Sequence, residues 1–510
     1  MQPTDTAPLS LSPSLCEQAR LSRDPRFDGL FFTAVLSTGI YCRPVCPAPV
    51  PRPENVRYYG SAAAAESAGF RPCLRCRPEL SPGDGSWRRG DTVLARALKL
   101  VESGFLSEHD VGALATRVHL GERQLRRLFH ERLGASPLRV HQTRCLLFAK
   151  QLLTETALPV TDVALASGFG SLRRFNAAFR DAYRMPPGQL RRQHGRVEGG
   201  TLTLRLGYRP PYDFAAMLDF LQARAIPGVE HIEADSYARL IGCAETPGWL
   251  RVSAPADTRQ ALRLEIHGAA PAQLPDIIAR LRRMFDLDAD PAAIHHTLGA
   301  DPRLQPLLQQ RPGLRQPGGW DGFEIAVRAV LGQQISVAAA RTLATRLVER
   351  YGPSVGAAPE KGLERLFPTP DTLASADLTS IGLPRTRAAT LQGVAQALLD
   401  GRVDFRHDRT LDDFVARWQA LPGIGPWTAQ YIALRALGHP DAFPAEDLVL
   451  QKALPTDGTR LSTRALLEQA QAWRPWRAYA VMHLWKQAAD ITPRTRIPPK
   501  TPSISSRSAA

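Results

Sequence analysis

Four cysteines, Cys42, Cys46, Cys73 and Cys76, stand in a C-x3-C … C-x2-C frame, and no other feature constrains the fold of this chain as strongly. Together they supply one tetrahedral thiolate site of the kind that holds Zn2+. The segments are T-G-I-Y-C-R-P-V-C (Thr38 to Cys46) and F-R-P-C-L-R-C-R-P (Phe70 to Pro78). Arg43, Arg52, Arg71, Arg75 and Arg77 lie within or beside them, a density of positive charge suited to a phosphate backbone. On spacing alone the same frame also fits a purely structural zinc knuckle.

A chain of 510 residues exceeds what one hydrophobic core organises, and ~150 residues per domain implies three or four units. The net charge of +15 favours a polyanionic partner. No apolar run approaches the ~20 residues of a membrane span, and the start M-Q-P-T-D-T-A-P lacks a basic segment followed by an apolar one, so a cytoplasmic location without membrane contact is expected. Four of the seven cysteines belong to the frame and none follows Cys243, which argues against a disulfide scaffold. Ser81 to Ser86 and Gly195 to Gly200 read as linkers, and the Pro-, Ser- and Thr-rich tail from Thr492 reads as disordered.

Between the two linkers a helical pattern occurs twice. Ser107 is placed to cap a helix through Val111, Leu114 and Ala115; a turn at Val118 to Gly121 leads into an amphipathic helix, Glu122 to Leu133, bearing Arg123, Arg126, Arg127 and Arg132. After a long apolar helix, about Pro137 to Thr154, the unit recurs from Val160 to Arg180. Gly168 provides the bend there, and Ser171 caps a second helix carrying Arg173, Arg174 and Asn176. Two such helices joined by a rigid one suit successive major-groove segments of double-stranded DNA.

Residues 14–88 resemble the zinc domain of the Ada-type adaptive-response regulators, which take methyl groups from DNA phosphotriesters. The resemblance rests on both cysteine pairs, their spacer, the G-I-Y-C-R-P-x-C core and the A-G-F-R-P-C-x-R-C segment. It implies that Cys42 is the nucleophile as well as a ligand, with Cys46, Cys73 and Cys76 completing the site. Zinc keeps a thiol deprotonated, and the thiolate is the reactive form. Methylating one of four thiolates around Zn2+ halves the formal negative charge, which lowers repulsion against phosphate and strengthens DNA binding. No residue regenerates the thiolate, so acceptance is expected to be stoichiometric and irreversible. Residues 91–195 resemble the AraC-family DNA-binding domain through D-V-A-L-A-S-G-F and F-N-A-A-F-R. No P-C-H-R motif follows, so O6-methylguanine repair is not expected.

The remainder resembles the AlkA-type DNA-3-methyladenine glycosylases of the helix-hairpin-helix superfamily. The matching segments are Y-R-P-P-Y-D-F (Tyr208 to Phe214), A-V-L-G-Q-Q-I-S-V-A-A-A (Ala329 to Ala340), L-P-G-I-G-P-W-T-A-Q-Y (Leu421 to Tyr431) and W-R-P-W-R-A-Y (Trp473 to Tyr479). Gly423 and Gly425 are expected to allow positive φ and close approach in the hairpin, with the next helix presenting N–H groups to a phosphate. The resemblance makes Asp447 the catalytic carboxylate, Glu446 a weaker substitute, and Phe220, Trp427, Tyr431 and Trp485 the base pocket. Electron-rich rings there favour a flipped-out cationic base. The family's intercalating leucine is Gln334 here, and the tyrosine after its aspartate is Leu448. No lysine occurs between Gly401 and Gln451, so the glycosylase is expected to be monofunctional.

The expected architecture is multi-domain and mainly α: a small α/β zinc domain, an all-α double helix-turn-helix, a small mixed α/β domain over 201–285, an all-α helix-hairpin-helix core over 286–491 and a tail over 492–510. The expected protein is a monomer that binds alkylated and promoter DNA, recruits RNA polymerase and activates alkylation-resistance genes. Two rivals stay open: an AraC-type regulator with structural zinc and an inactive glycosylase-like module, and a repair enzyme whose helix-turn-helix only concentrates it on DNA.

Overall fold

Two short parallel strands bring the cysteine pairs together in the computed structural model, which describes residues 11–83, 92–193, 201–254, 260–356, 360–454 and 459–491. Strands β1 (Phe32–Val35), β2 (Ile40–Cys42), β3 (Val56–Tyr59) and β4 (Arg71–Pro72) form a sheet of order β3-β1-β2-β4. Ile40 lies opposite Arg71 and Tyr41 opposite Pro72, so Cys42 and Cys73 emerge side by side from the same end. The apolar support beneath this sheet is slight, with Phe32, Ala34, Tyr41 and Ala65 as its buried cluster.

Both helix-turn-helix units form. In the first, Asp110 caps the helix Val111–Arg117 by accepting from the Ala113 N–H at 2.7 Å, and the second helix is Glu122–Leu133. The expected cap, Ser107, instead lies inside the short helix Phe105–Glu108, because the aspartate directly before Val111 competes more closely for the same N–H groups. The central helix runs Pro137–Glu155. In the second unit Gly168 turns at φ +81°, and Ser171 caps Leu172–Tyr183 by accepting from the Arg174 N–H. The first unit has its own core around Leu114, Leu125 and Phe129. That of the second, with Phe175, Phe179 and Tyr183, is continuous with a five-stranded antiparallel sheet.

That sheet has the order β5-β9-β8-β7-β6, from β5 (Leu202–Gly207), β6 (Glu230–Ile232), β7 (Ser236–Gly242), β8 (Pro247–Ser253) and β9 (Ala261–His267). Helices Phe214–Gln222 and Leu274–Met284 pack into the same core. A larger helical module follows, whose core extends from Ile226 to Leu484 and includes the fully buried Trp418 and Trp473. The described residues are thus mainly helical, with two small sheets, as the sequence pattern implies. The linker expected at Ser81 to Ser86 is packed as far as Gly83; its remainder, the segment 195–200 and the tail from Thr492 lie outside the described residues.

Candidate active sites and DNA-binding surfaces

In the first centre, one sulfur from each of the four cysteines lies within 4.8 Å of the others. The Arg43 N–H donates to Cys76 Sγ at 3.3 Å and the Arg75 N–H to Cys73 Sγ at 3.4 Å. Cys73 and Cys76 are buried, whereas Cys42 and Cys46 are half-buried. Four thiols so confined cannot ionise alike: burial pushes Cys76 up, while hydrogen bonds with Cys42, Cys46 and Cys76 hold Cys73 down. A dication resolves that conflict, and this donor set fits Zn2+. Two of the five flanking arginines are used internally: Arg43 pairs with Asp28, and Arg77 with Glu79 at 3.0 Å and Glu155 at 2.8 Å. Arg52 and Arg75 are exposed and Arg71 is half-buried.

On the recognition helices Arg123, Arg126 and Arg127 are exposed; Arg126 Nε donates to Glu122 at 2.9 Å, and Arg127 pairs with Glu131 at 3.5 Å. Arg173 and Arg174 are exposed and Asn176 is half-buried.

The second centre is a cleft of about 460 Å³ lined by Trp427, Tyr431, Asp447 and Trp485 among others. Asp447 caps the helix Leu448–Ala453, with Oδ1 accepting from Val449 N–H at 3.0 Å and Leu450 N–H at 3.1 Å. It also receives two indoles that no cap requires: Trp427 Nε1 donates to Oδ2 at 2.9 Å and Trp485 Nε1 to Oδ1 at 3.2 Å. Four N–H donors thereby fix the carboxylate. Trp427 and Tyr431 stack with centroids 5.1 Å apart, and Tyr431 meets Trp485 at 6.2 Å. Arg435 donates to the Tyr431 hydroxyl at 3.0 Å. Burial opposes ionisation of that phenol, but Arg435 and Arg224 together pull it below its ordinary value.

Phe220 is not among the lining residues; it stands behind them, with the Arg224 and Arg435 guanidinium carbons 3.7 and 4.7 Å from its ring centroid. Trp320, absent from the sequence reading, does line the cleft. The preceding Gly318 and Gly319 set its position, since a Cβ on Gly319 would lie 2.2 Å from Ile325 Cγ1. Two glycines directly before a tryptophan were the available signal.

In the hairpin only Gly423 has the expected left-handed backbone, at φ +82°, with Thr390 filling the space a side chain would need. Gly425 instead adopts φ −86° as the cap of Pro426–Ala436, where extended geometry is the normal entry to a helix. A Cβ there would meet nothing within 4 Å. Gln333 bridges to this hairpin, donating to Gly423 O at 2.9 Å and Thr428 Oγ1 at 3.0 Å. Its neighbour Gln334 is exposed at φ +59°.

Four known families match in series: the metal binding domain of Ada over residues 15–79, a helix-turn-helix domain over 114–193, the AlkA N-terminal domain over 203–321 and the HhH-GPD superfamily of base excision DNA repair proteins over 327–477. A Mycobacterium tuberculosis protein named "Probable bifunctional transcriptional activator/DNA repair enzyme AlkA" is 42% identical over 479 residues, covering 92% of this chain and 95% of that one. The chain belongs to this family of bifunctional activator and repair proteins.

Family membership at that coverage joins all four units in one protein. The Escherichia coli DNA-3-methyladenine glycosylase 2 is 35% identical over 283 residues, 55% of this chain and 95% of that one. The E. coli bifunctional activator and repair enzyme Ada is 41% identical over 120 residues, 24% of this chain and 32% of that one. Among the described residues no helix is long and apolar enough to cross a membrane.

Proposed function

We propose that the chain is an alkylation-damage response protein with two repair chemistries and a regulatory output. As a monofunctional DNA-3-methyladenine glycosylase, it takes an alkylated base out of the duplex into the cleft. Trp427, Tyr431 and Trp485 stack on the cationic ring. Asp447 stabilises the positive charge that develops on the sugar as the C1′–N bond breaks, and the electron pair leaves with the base. Water then adds to C1′ and leaves an abasic site. The exposed hairpin at Gly423 and Gly425 receives a backbone phosphate, and Gln334, at the tip of its turn, enters the vacated stack.

At the other centre the Cys42 sulfur attacks the methyl carbon of a phosphotriester, and the phosphate oxygen departs with the bonding electrons. Zn2+ on the four cysteines supplies the thiolate at neutral pH. Arg123, Arg126, Arg127, Arg173, Arg174 and Asn176 read promoter DNA, and the protein, its zinc site made less negative by methylation, activates transcription with RNA polymerase in the cytoplasm, as a monomer. The corresponding units are 14–88, 91–195, 201–285 and 286–491, with 492–510 as a tail.

The clamping of Asp447 by two indoles inside an aromatic cleft is the observation that carries the glycosylase reading. Base release from methylated DNA by the wild type and Asp447→Asn tests it. A loss of at least about 100-fold in the variant is expected; a wild type that releases no 3-methyladenine leaves a regulator with an inactive glycosylase-like module.

A further inference from the structure

The zinc module and the glycosylase half meet across an interface that neither reactive centre uses. At its middle is Arg209, which is 0% exposed. Its Nε donates to Asp28 O at 2.7 Å, Nη1 to Asp288 O at 3.0 Å and Ala289 O at 3.1 Å, and Nη2 to Pro82 O at 3.4 Å and to Gly83 O. Three of these carbonyls belong to the zinc module and two to the glycosylase half. The Gly83 N–H returns a hydrogen bond to Asp288 Oδ1 at 2.7 Å. Around this centre the two modules nearly touch: a Cβ on Gly207 would lie 1.9 Å from Leu80 O, and one on Gly29 3.0 Å from the Arg209 guanidinium.

A guanidinium removed from water is tolerated where acceptors replace the solvent, and those acceptors come from both modules. We infer that this is a built docking surface by which the glycosylase half holds the zinc module independently of the connecting chain, its occupant being residues 28–29 and 80–83. The two repair centres then belong to one unit. Asp28 also pairs with Arg43, the neighbour of Cys42, while Asp288 follows by four residues Met284, which lines the base cleft.

The test inserts a site for a sequence-specific protease within residues 84–91 of the full chain, cleaves the folded protein and follows dissociation of the two pieces by size-exclusion chromatography over a dilution series. Wild-type pieces are expected to co-elute, and Arg209→Met to weaken their association by at least about ten-fold. Gly207→Ala, which leaves the arginine in place and sets a methyl against Leu80 O, is expected to do the same and decides the matter should Arg209→Met not fold. Separation of the wild-type pieces on cleavage, or folded variants that associate as tightly as wild type, overturns the inference. Release of 3-methyladenine by the uncut proteins is measured alongside, so failure of the docking surface and failure of the glycosylase reading are distinguished.

Discussion

At the zinc centre four sulfurs converge from two strand ends over a few buried apolar residues, whereas at the base cleft one carboxylate is fixed by four N–H donors on a large helical core. The first arrangement needs a cation to reconcile its like groups, and in the proposed methyl transfer its reactive atom is consumed. The second is preorganised by its own hydrogen bonds and packing, and under the proposed glycosylase reading its carboxylate is unchanged by each turnover. A group used once can rest on a small module stiffened by a metal and by its neighbours; a group used repeatedly is set in rigid surroundings.

The largest expected effect separates the two directly. Removing zinc with a chelator should unfold the sheet of Phe32–Tyr59 and abolish methyl acceptance, since structural zinc contributes on the order of 10 kcal/mol to such modules. Base release should change by less than about three-fold, an order of magnitude below the effect of losing a catalytic group. Hydrogen exchange read beside the release assay checks both, and parallel loss of the two activities would break the contrast.

Lys150→Met should rank next. Lys150, buried in the central helix, donates to Cys73 O at 3.0 Å and pairs with Glu79 at 2.6 Å, so its loss strips support from a cysteine segment. A cost of about 3 kcal/mol is expected, seen as zinc release at lower chelator concentration. Unaltered zinc retention would mean that the metal alone holds the segment. At the cleft, Trp427→Phe keeps a smaller aromatic ring and removes the N–H to Asp447; base release should fall about ten-fold while methyl acceptance stays the same. An unchanged rate would show that the remaining donors orient Asp447 sufficiently. The smallest effect belongs to Arg117→Ala, which breaks the ion pair joining the first helix-turn-helix unit to Asp408. With Arg117 39% exposed, the change in thermal stability should stay below about 1 kcal/mol. A larger loss would show that this partly exposed pair carries the attachment of the first helix-turn-helix unit to the glycosylase half.

Local signals in the sequence carried much of this architecture. The helix Glu122–Leu133 and the Ser171 cap appear where turn and cap chemistry place them. The cysteine cluster follows from its spacing, and Asp447 meets Trp427, twenty residues before it, in the cleft the resemblance implies, whereas the second indole on the carboxylate comes from Trp485, distant in the chain. What was illegible depends on partners distant in sequence. Arg43 and Arg77 look like phosphate ligands until Asp28 and Glu155 fold against them. Phe220 looks like a pocket ring until two arginines cover it, and Arg209 looks like one basic residue of a motif until carbonyls from residues 28, 82 and 83 surround it. Side-chain type states what a residue is able to bind, and tertiary contact decides which opportunity is taken.

The most direct test of two separate chemistries in one polypeptide uses a single tube: zinc-loaded protein with methylated DNA, scored for free 3-methyladenine by chromatography and for the methylated cysteine by peptide mass spectrometry. The account predicts catalytic base release, exceeding one base per chain, together with at most one methyl per chain, on Cys42. Base release that stops at one per chain, or a methyl on Cys46, Cys73 or Cys76 in place of Cys42, would contradict it.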